Sequence, residues 1–366
     1  MIKKIILKIA RYFLSSCLKI KITLKSKYLL SENRKKILLI NLHGIGDLVM
    51  CTPAIELLRE NYPSAQIDML LSEPAAVLFE NDPRINNLFK FNNKKSFNSI
   101  KNVKQKYDTV LLFIGGIWGS ITALSVKSKE IIGMALNTTL AAVLKDKNNK
   151  VIVRRFDKNT HLSDLMTNVA SLIVKNNNAE NLVRDDRENH EYKLYINFDN
   201  INVEKFNIKK PYIVLAPETN WDIKNIKQQL IDDLGAYYKA SDFSVIIIGS
   251  KNNSIDNKND LRGKTTIPEA IKIIRGSEYV ISADSAFMHI ASAVEIPCIS
   301  VFGPTSPERL SPKGPGKCRV IKKDICCSPC YKEIYIPKCI NPEYNLCMKW
   351  SLDDIKKELD LFDRNK

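Results

Sequence analysis

No stretch of this 366-residue chain approaches the roughly 20 consecutive apolar residues that a bilayer-spanning helix requires, so no transmembrane helix is expected. A short internal repeat is also missing, which sets aside repeat architectures. Acidic residues are outnumbered by basic ones, 40 against 56, and the formal net charge is +16. The shortage of acid is sharpest at the start, where residues 1–35 hold ten basic side chains and a single acidic one, Glu32. That arm lacks the interleaved aromatics of a single-strand platform, and the body contains no known nucleic-acid module, so no nucleic-acid partner is expected. What is present suits a globular protein. A hydrophobic content of 45% is ordinary, and the length allows two domains.

Within the arm, Ile2, Ile5, Ile6, Ile9 and Phe13 recur at helical spacing, while Lys3, Lys4, Lys8 and Arg11 fall largely elsewhere around the axis. A basic amphipathic helix of this kind can lie in a headgroup layer, each cation near anionic lipid contributing about 1 kcal/mol. A solvated basic tail or a helix packed on the body is the plainer alternative. Leu14-Ser15-Ser16-Cys17 has the look of a lipoprotein cleavage site, but Lys8 and Arg11 interrupt the apolar region that a signal peptide needs.

Beyond the arm, Lys36–Asn41 is an apolar run of strand length that leads into His43-Gly44-Ile45-Gly46-Asp47 and then into a helical pattern opened by Thr52-Pro53. Strand, Gly-rich turn and helix open a nucleotide-type α/β domain, because glycine lets the backbone turn sharply and approach a ligand. A dinucleotide fingerprint would want a third glycine where Val49 stands, which disfavours a nicotinamide enzyme. Strands are expected at Gln66–Leu71, Phe89–Phe91 and Thr109–Ile114. The stretch Asn176–Asn207 is polar apart from Tyr192–Ile196 and reads as irregular surface leading to a linker. A second series follows: strand Tyr212–Ala216, helix near Gln228–Tyr238, strand Ser244–Gly249, helix near Pro268–Arg275, and buried strands at Tyr279–Ser282 and Cys298–Phe302. Alternating strands and helices predict parallel sheets with crossover helices. The expected division is a basic arm (1–35), an N-terminal Rossmann-like domain (36–207) and a C-terminal Rossmann-like domain with a Cys-rich tail (208–366).

The richest segment is Ser282-Ala283-Asp284-Ser285-Ala286-Phe287-Met288-His289, followed later by Gly303-Pro304-Thr305. Asp284 and Ser285 fall where a helix needs capping, which would leave backbone N–H groups near Phe287 and Met288 to point at an anion. An ordinary helix cap inside an α/β core is the alternative.

Together, Gly46-Asp47-Leu48-Val49-Met50-Cys51-Thr52-Pro53-Ala54, Thr219-Asn220-Trp221-Asp222-Ile223-Lys224, Asp284 to Ala291 and Gly303-Pro304-Thr305 resemble glycosyltransferase family 9, the heptosyltransferases of lipopolysaccharide core assembly. The resemblance covers roughly residues 36–360. It implies an α/β GT-B fold of two Rossmann-like domains facing a central cleft. It also implies an inverting, metal-independent transfer from a nucleotide sugar, most simply ADP-heptose, to a membrane-anchored glycolipid acceptor. By the resemblance, Asp47 is the general base on a turn formed by Gly44 and Gly46. Thr219, Asn220, Lys224, Asp284, Ser285, Ala286, Met288, His289 and Thr305 border the donor and its phosphates. Glycosyl transfer needs those two functions, a base for the acceptor hydroxyl and positive or dipolar groups for the departing diphosphate. Two departures stand out: Asn225-Ile226-Lys227 follows Lys224 where the family has a basic residue, Trp and Pro, and Ala286 replaces a common Gly. No cofactor is expected. The expected location is cytoplasmic, peripheral on the inner face of the cytoplasmic membrane through the arm. A family relative using another sugar nucleotide for a different surface glycan, and a non-catalytic sugar-nucleotide-binding protein at the membrane, are the competing readings.

In the tail, Cys327, Cys330, Cys339 and Cys347 could bind zinc or form disulfides. The second pair is too widely spaced for a zinc ribbon, and a cytosolic compartment disfavours structural disulfides. No metal is assigned, and none of the nine cysteines reads as a nucleophile.

Overall fold

The computed structural model describes residues 36–92, 103, 105–135, 151–155, 160–174, 191–250, 258–331 and 338–363. The basic arm, with its expected amphipathic helix, lies outside the described residues. Among those described, no helix is long and apolar enough to cross a membrane.

Strand β1 (Lys36–Asn41) buries Ile37 to Ile40 completely on both faces, as a strand covered on each side by crossover helices must. It pairs in parallel with β2 (Gln66–Ser72) on one side and β4 (Tyr107–Ile114) on the other. With β3 (Asn87–Phe91), β5 (Ser128–Ala135) and β6 (Val151–Arg155) it forms a six-stranded parallel sheet in the order β3-β2-β1-β4-β5-β6. This is the doubly wound order, and its direction of winding reverses between β1 and β4. Helices α1 (Ile45–Met50), α2 (Thr52–Asn61), α3 (Gly116–Ser125) and α4 (Leu162–Val174) accompany it. In α4, Leu162, Leu165, Met166, Val169, Ala170 and Ile173 make one buried face at spacings of three and four.

A second parallel sheet contains β7 (Tyr212–Ala216), β8 (Ser244–Ile247), β9 (Val280–Ala283), β10 (Cys298–Phe302) and β11 (Cys318–Lys322), ordered β11-β10-β9-β7-β8. Its winding reverses between β7 and β9. Helices α5 (Gln228–Lys239), α6 (Ile267–Arg275), α7 (Ala286–Ala293), α8 (Pro307–Leu310) and α9 (Leu352–Asp363) belong to this half. The start of α6 is fixed by a capping box, in which Thr266 accepts from the Glu269 N–H and the Glu269 carboxylate accepts from the Thr266 N–H.

Of the stretch expected to be irregular surface, residues 176–190 lie outside the described residues, and the described remainder is irregular as expected but not all surface. From residue 191 to 203 it has neither helix nor strand, yet Tyr192 is completely buried. Its near side is bound to the first half: the Lys193 N–H donates to Thr52 Oγ1 (3.2 Å), and Arg84 donates to the Lys193 carbonyl (3.0 Å) and lies over the Tyr195 ring (4.9 Å). Arg84 is itself held by Asp82 and Glu56. Its far side is bound to the second half, where Lys272 donates to the carbonyls of Phe198 and Ile201 and Arg275 lies over the Phe198 ring at 4.7 Å.

Candidate active site

Open α/β sheets bind ligands at the carboxyl ends of their strands where the winding reverses. In the first sheet that place is the turn leaving β1, which carries Asp47 in the first turn of α1. In the second sheet it is occupied by the loop leaving β7, which carries Thr219 to Lys224, and the loop leaving β9, which carries Asp284 and Ser285. The two places meet. A Cβ built on Gly46 would lie 3.5 Å from the Ala286 Cα and 3.2 Å from His289 Cδ2.

The contact redefines the glycine turn. Gly44 has extended backbone (φ −74°, ψ 175°), and Gly46 is helical, so neither uses the left-handed conformation expected of a sharp glycine turn. Space is tight at Gly46, because α7 of the other half packs against it. The turn is shaped instead by Asn41, a fully buried polar residue at the end of β1. Its amide donates to the Asp47 carbonyl (3.2 Å), and its side-chain oxygen accepts from the His43 N–H (3.3 Å). The Asp47 carboxylate is a quarter exposed and stands 3.7 Å from His43 Nδ1.

Across from it, the Lys224 ammonium donates to the carbonyl of Asp284 (2.7 Å) and to its Oδ2 (3.1 Å), and lies 4.8 Å from the centre of the Trp221 ring. Thr305, nearly fully buried, donates its hydroxyl to the same Asp284 oxygen at 2.5 Å. Asp284 therefore gathers Lys224 and Thr305 from two separate loops, and it does not cap α7. Ser285 is the cap: its Oγ accepts the Phe287 N–H at 3.3 Å, so this donor, expected to face an anion, is used within the protein. Met288, expected to border the donor, is wholly buried in the core. Ala286 has no positive φ and sits against Gly46, so glycine's freedom is not needed there.

Thr219 donates its N–H to Asn225 Oδ1 (2.7 Å), and its hydroxyl accepts from the Trp221 N–H (3.0 Å). Asn225, one of the departures from the family pattern, thus holds this loop in shape. Asn220 is exposed. His289 is buried, its Nδ1 has no hydrogen-bond partner, and its ring packs on Tyr192 at 5.8 Å. Burial above all, with the neighbouring charges of His161 and Lys224, pushes its pKa down to about 3, so it is a neutral imidazole between the halves. His161 also joins them: its Nδ1 accepts the Ser163 N–H (3.2 Å), which leaves Nε2 as the donor to the Ser311 carbonyl (2.7 Å). Lys313 reaches Asp164 nearby at 2.7 Å.

The tail cysteines lie near one another. Burial and the neighbouring thiols Cys330, Cys339 and Cys327 raise Cys347 to about 11. All eight cysteines described are free thiols, and among the described residues no three His, Cys, Asp or Glu side chains form a metal-ligating group.

Two parallel sheets presenting their switch points to each other define a GT-B fold, the architecture of one large class of glycosyltransferases. The chain belongs to glycosyltransferase family 9 (heptosyltransferase), whose family pattern matches residues 97–341. It is 25% identical over 284 residues to lipopolysaccharide heptosyltransferase 3 of Escherichia coli, covering 71% of this chain and 81% of that one. With lipooligosaccharide heptosyltransferase 2 of Campylobacter jejuni it shares 23% identity over 337 residues, 86% of this chain and 93% of the relative. In fold it is similar to the E. coli ADP-heptose lipopolysaccharide heptosyltransferase II, with a TM-score of 0.65 at 19% identity over 79% of this chain and 90% of that structure.

Sequence reasoning did not single out Asn41, Trp221 as the partner of Lys224, or the buried residues Tyr192 and His161. A polar residue ending a wholly apolar strand was the available signal for Asn41. Trp221 lies only three residues from Lys224, but its ring's place under the ammonium is set by the fold of the loop, and the contacts of Tyr192 and His161 join distant segments.

Proposed function

We propose that this family 9 glycosyltransferase transfers a heptose, with inversion and without a metal or other cofactor, from ADP-heptose to a lipopolysaccharide-core glycolipid. The carrying observation is the meeting of Gly46 with Ala286 and His289, which brings the loop bearing Asp47 against the loops bearing Lys224 and Asp284. Asp47 accepts the proton of the acceptor hydroxyl as that oxygen attacks the anomeric carbon. The carboxylate is a weak base for a sugar hydroxyl, and the charge developing on the attacking oxygen in the transition state assists it. Lys224 exchanges part of its bonding to Asp284 for the leaving diphosphate, and the start of α7 adds its dipole. The relatives' heptose substrates and the ADP-heptose of the E. coli enzyme similar in fold support this donor. Contact of the basic arm with anionic lipid would hold the enzyme at the cytoplasmic face of the inner membrane, which suits a lipid-anchored acceptor.

Melting curves with ADP, UDP, GDP, CMP and NAD, then with the matching sugar nucleotides, test the reading. Stabilisation by ADP and ADP-heptose is expected. Stabilisation by UDP or GDP alone would replace the donor, and by NAD alone would reject the transferase.

A further inference from the structure

The tail delivers one more residue to this site. The Tyr331 N–H donates to the Pro304 carbonyl at 2.8 Å, and Ser328 Oγ donates to the Gly303 carbonyl at 2.6 Å. A Cβ on Gly303 would stand 2.6 Å from Met348 Sδ and 3.0 Å from Cys347 Sγ, so the tail lies on the turn before Thr305 with no room for a side chain between them. From this position the Tyr331 ring meets Trp221 edge-on, with centroids 4.8 Å apart and an interplanar angle of 62°. Trp221 in turn carries the Lys224 ammonium over its ring. Tyr331 therefore touches both the 219–224 loop and the 303–305 turn, the two segments that converge on Asp284. Burial, and secondarily the Asp47 carboxylate, raise its phenol pKa, so the hydroxyl stays protonated and within range of that charge.

We infer that Tyr331 is a positioning residue for the diphosphate side of the site: its ring fixes Trp221, and through Trp221 the Lys224 ammonium, where the leaving group departs. The inference rests on the transferase reading above. An edge-on aromatic pair and a cation over a ring face are each orientation-dependent, so removing the outer ring frees the inner one to tilt and the ammonium to wander.

The test uses the full chain. Binding of ADP, UDP, GDP and inorganic pyrophosphate is measured by titration calorimetry for wild type, Tyr331→Ala, Tyr331→Phe, Lys224→Ala and the Tyr331→Ala/Lys224→Ala double variant. The diphosphates that bind wild type should bind Tyr331→Ala about 5- to 20-fold more weakly, with Tyr331→Phe within about twofold of wild type. In the double variant, loss of Tyr331 should add nothing to loss of Lys224. Wild-type affinity in Tyr331→Ala, damage by Phe equal to that by Ala, or additive losses would overturn the inference while leaving the transferase intact. If no diphosphate binds wild type, the transferase reading and the role of Tyr331 fall together. Should Tyr331→Ala fail to fold, Tyr331→Leu, which keeps bulk without the ring, takes its place with the same expectation.

Discussion

His289 of the second half lies against the backbone of Gly46 in the first, close enough that a methyl group at residue 46 would stand 3.2 Å from the imidazole Cδ2. Gly46→Ala asks the imidazole to yield by a few tenths of an ångström, whereas Gly46→Val pushes the turn and α7 apart. Overpacking of this kind typically costs about 1–3 kcal/mol. The valine variant should lose at least tenfold in kcat/KM, and small-angle scattering should show a larger radius of gyration, with the alanine variant in between.

Asp47→Asn keeps the shape of the side chain and removes its capacity to take a proton. Turnover should fall by about 10²–10⁴-fold, the usual contribution of a positioned base. Nucleotide affinity should stay within about twofold, because the contacts proposed for the diphosphate come from the other half. Calorimetry beside a product assay checks both parts, and retained turnover would remove Asp47 from its role.

Thr305→Val takes one donor from the buried Asp284 carboxylate and leaves Lys224 as its neighbour. A buried acceptor losing a partner costs about 1–3 kcal/mol, visible as a lowered melting temperature. Lys224→Ala leaves Asp284 without its cation and should destabilise by about 3–5 kcal/mol as well as weakening the donor. Chemical denaturation and donor KM measured on the two variants separate these effects.

His161 and His289 are held neutral, mainly by burial, with pKa values lowered to about 4 and about 3 from an ordinary 6.5. Between those values the unfolded chain binds protons that the folded protein refuses. Stability should therefore be unaffected by these groups above pH 6.5 and decline as the pH falls from there toward 4 and 3. Denaturant midpoints from pH 8 to 4 should show the decline, and His161→Asn should flatten it. An unchanged slope in that variant would mean that His161 takes up its proton in the folded state.

Much of the scaffold was readable because buried parallel strands are continuous apolar runs. Lys36–Asn41, Tyr212–Ala216 and Cys298–Phe302 coincide with β1, β7 and β10. Strands β5 and β11 are harder, since Ser128-Lys129-Glu130 opens the one and Arg319 interrupts the other. Helix α4 is missing from the expected elements even though its apolar residues recur at helical spacing. At the site, the motifs identified the loops but not the use of each atom. Ser285 consumes the Phe287 N–H, Asp284 serves Lys224 and Thr305, and Gly46 is small because α7 approaches it. The Asp284 pairings join loops of the second half that are distant in sequence, and the Gly46 contact joins the two halves, neither of which local spacing encodes.

The connecting segment has a mechanical consequence. Lys193 and Tyr195 are fastened to one lobe by Arg84, and Phe198 and Ile201 to the other by Lys272 and Arg275. Only Ile196 and Asn197 lie between these anchorages. Along this strap, an opening of the lobes of the kind the proposed acceptor would need is expected to turn on the torsions of these two residues. It would also have to break the His161 and Lys313 clasps on the way.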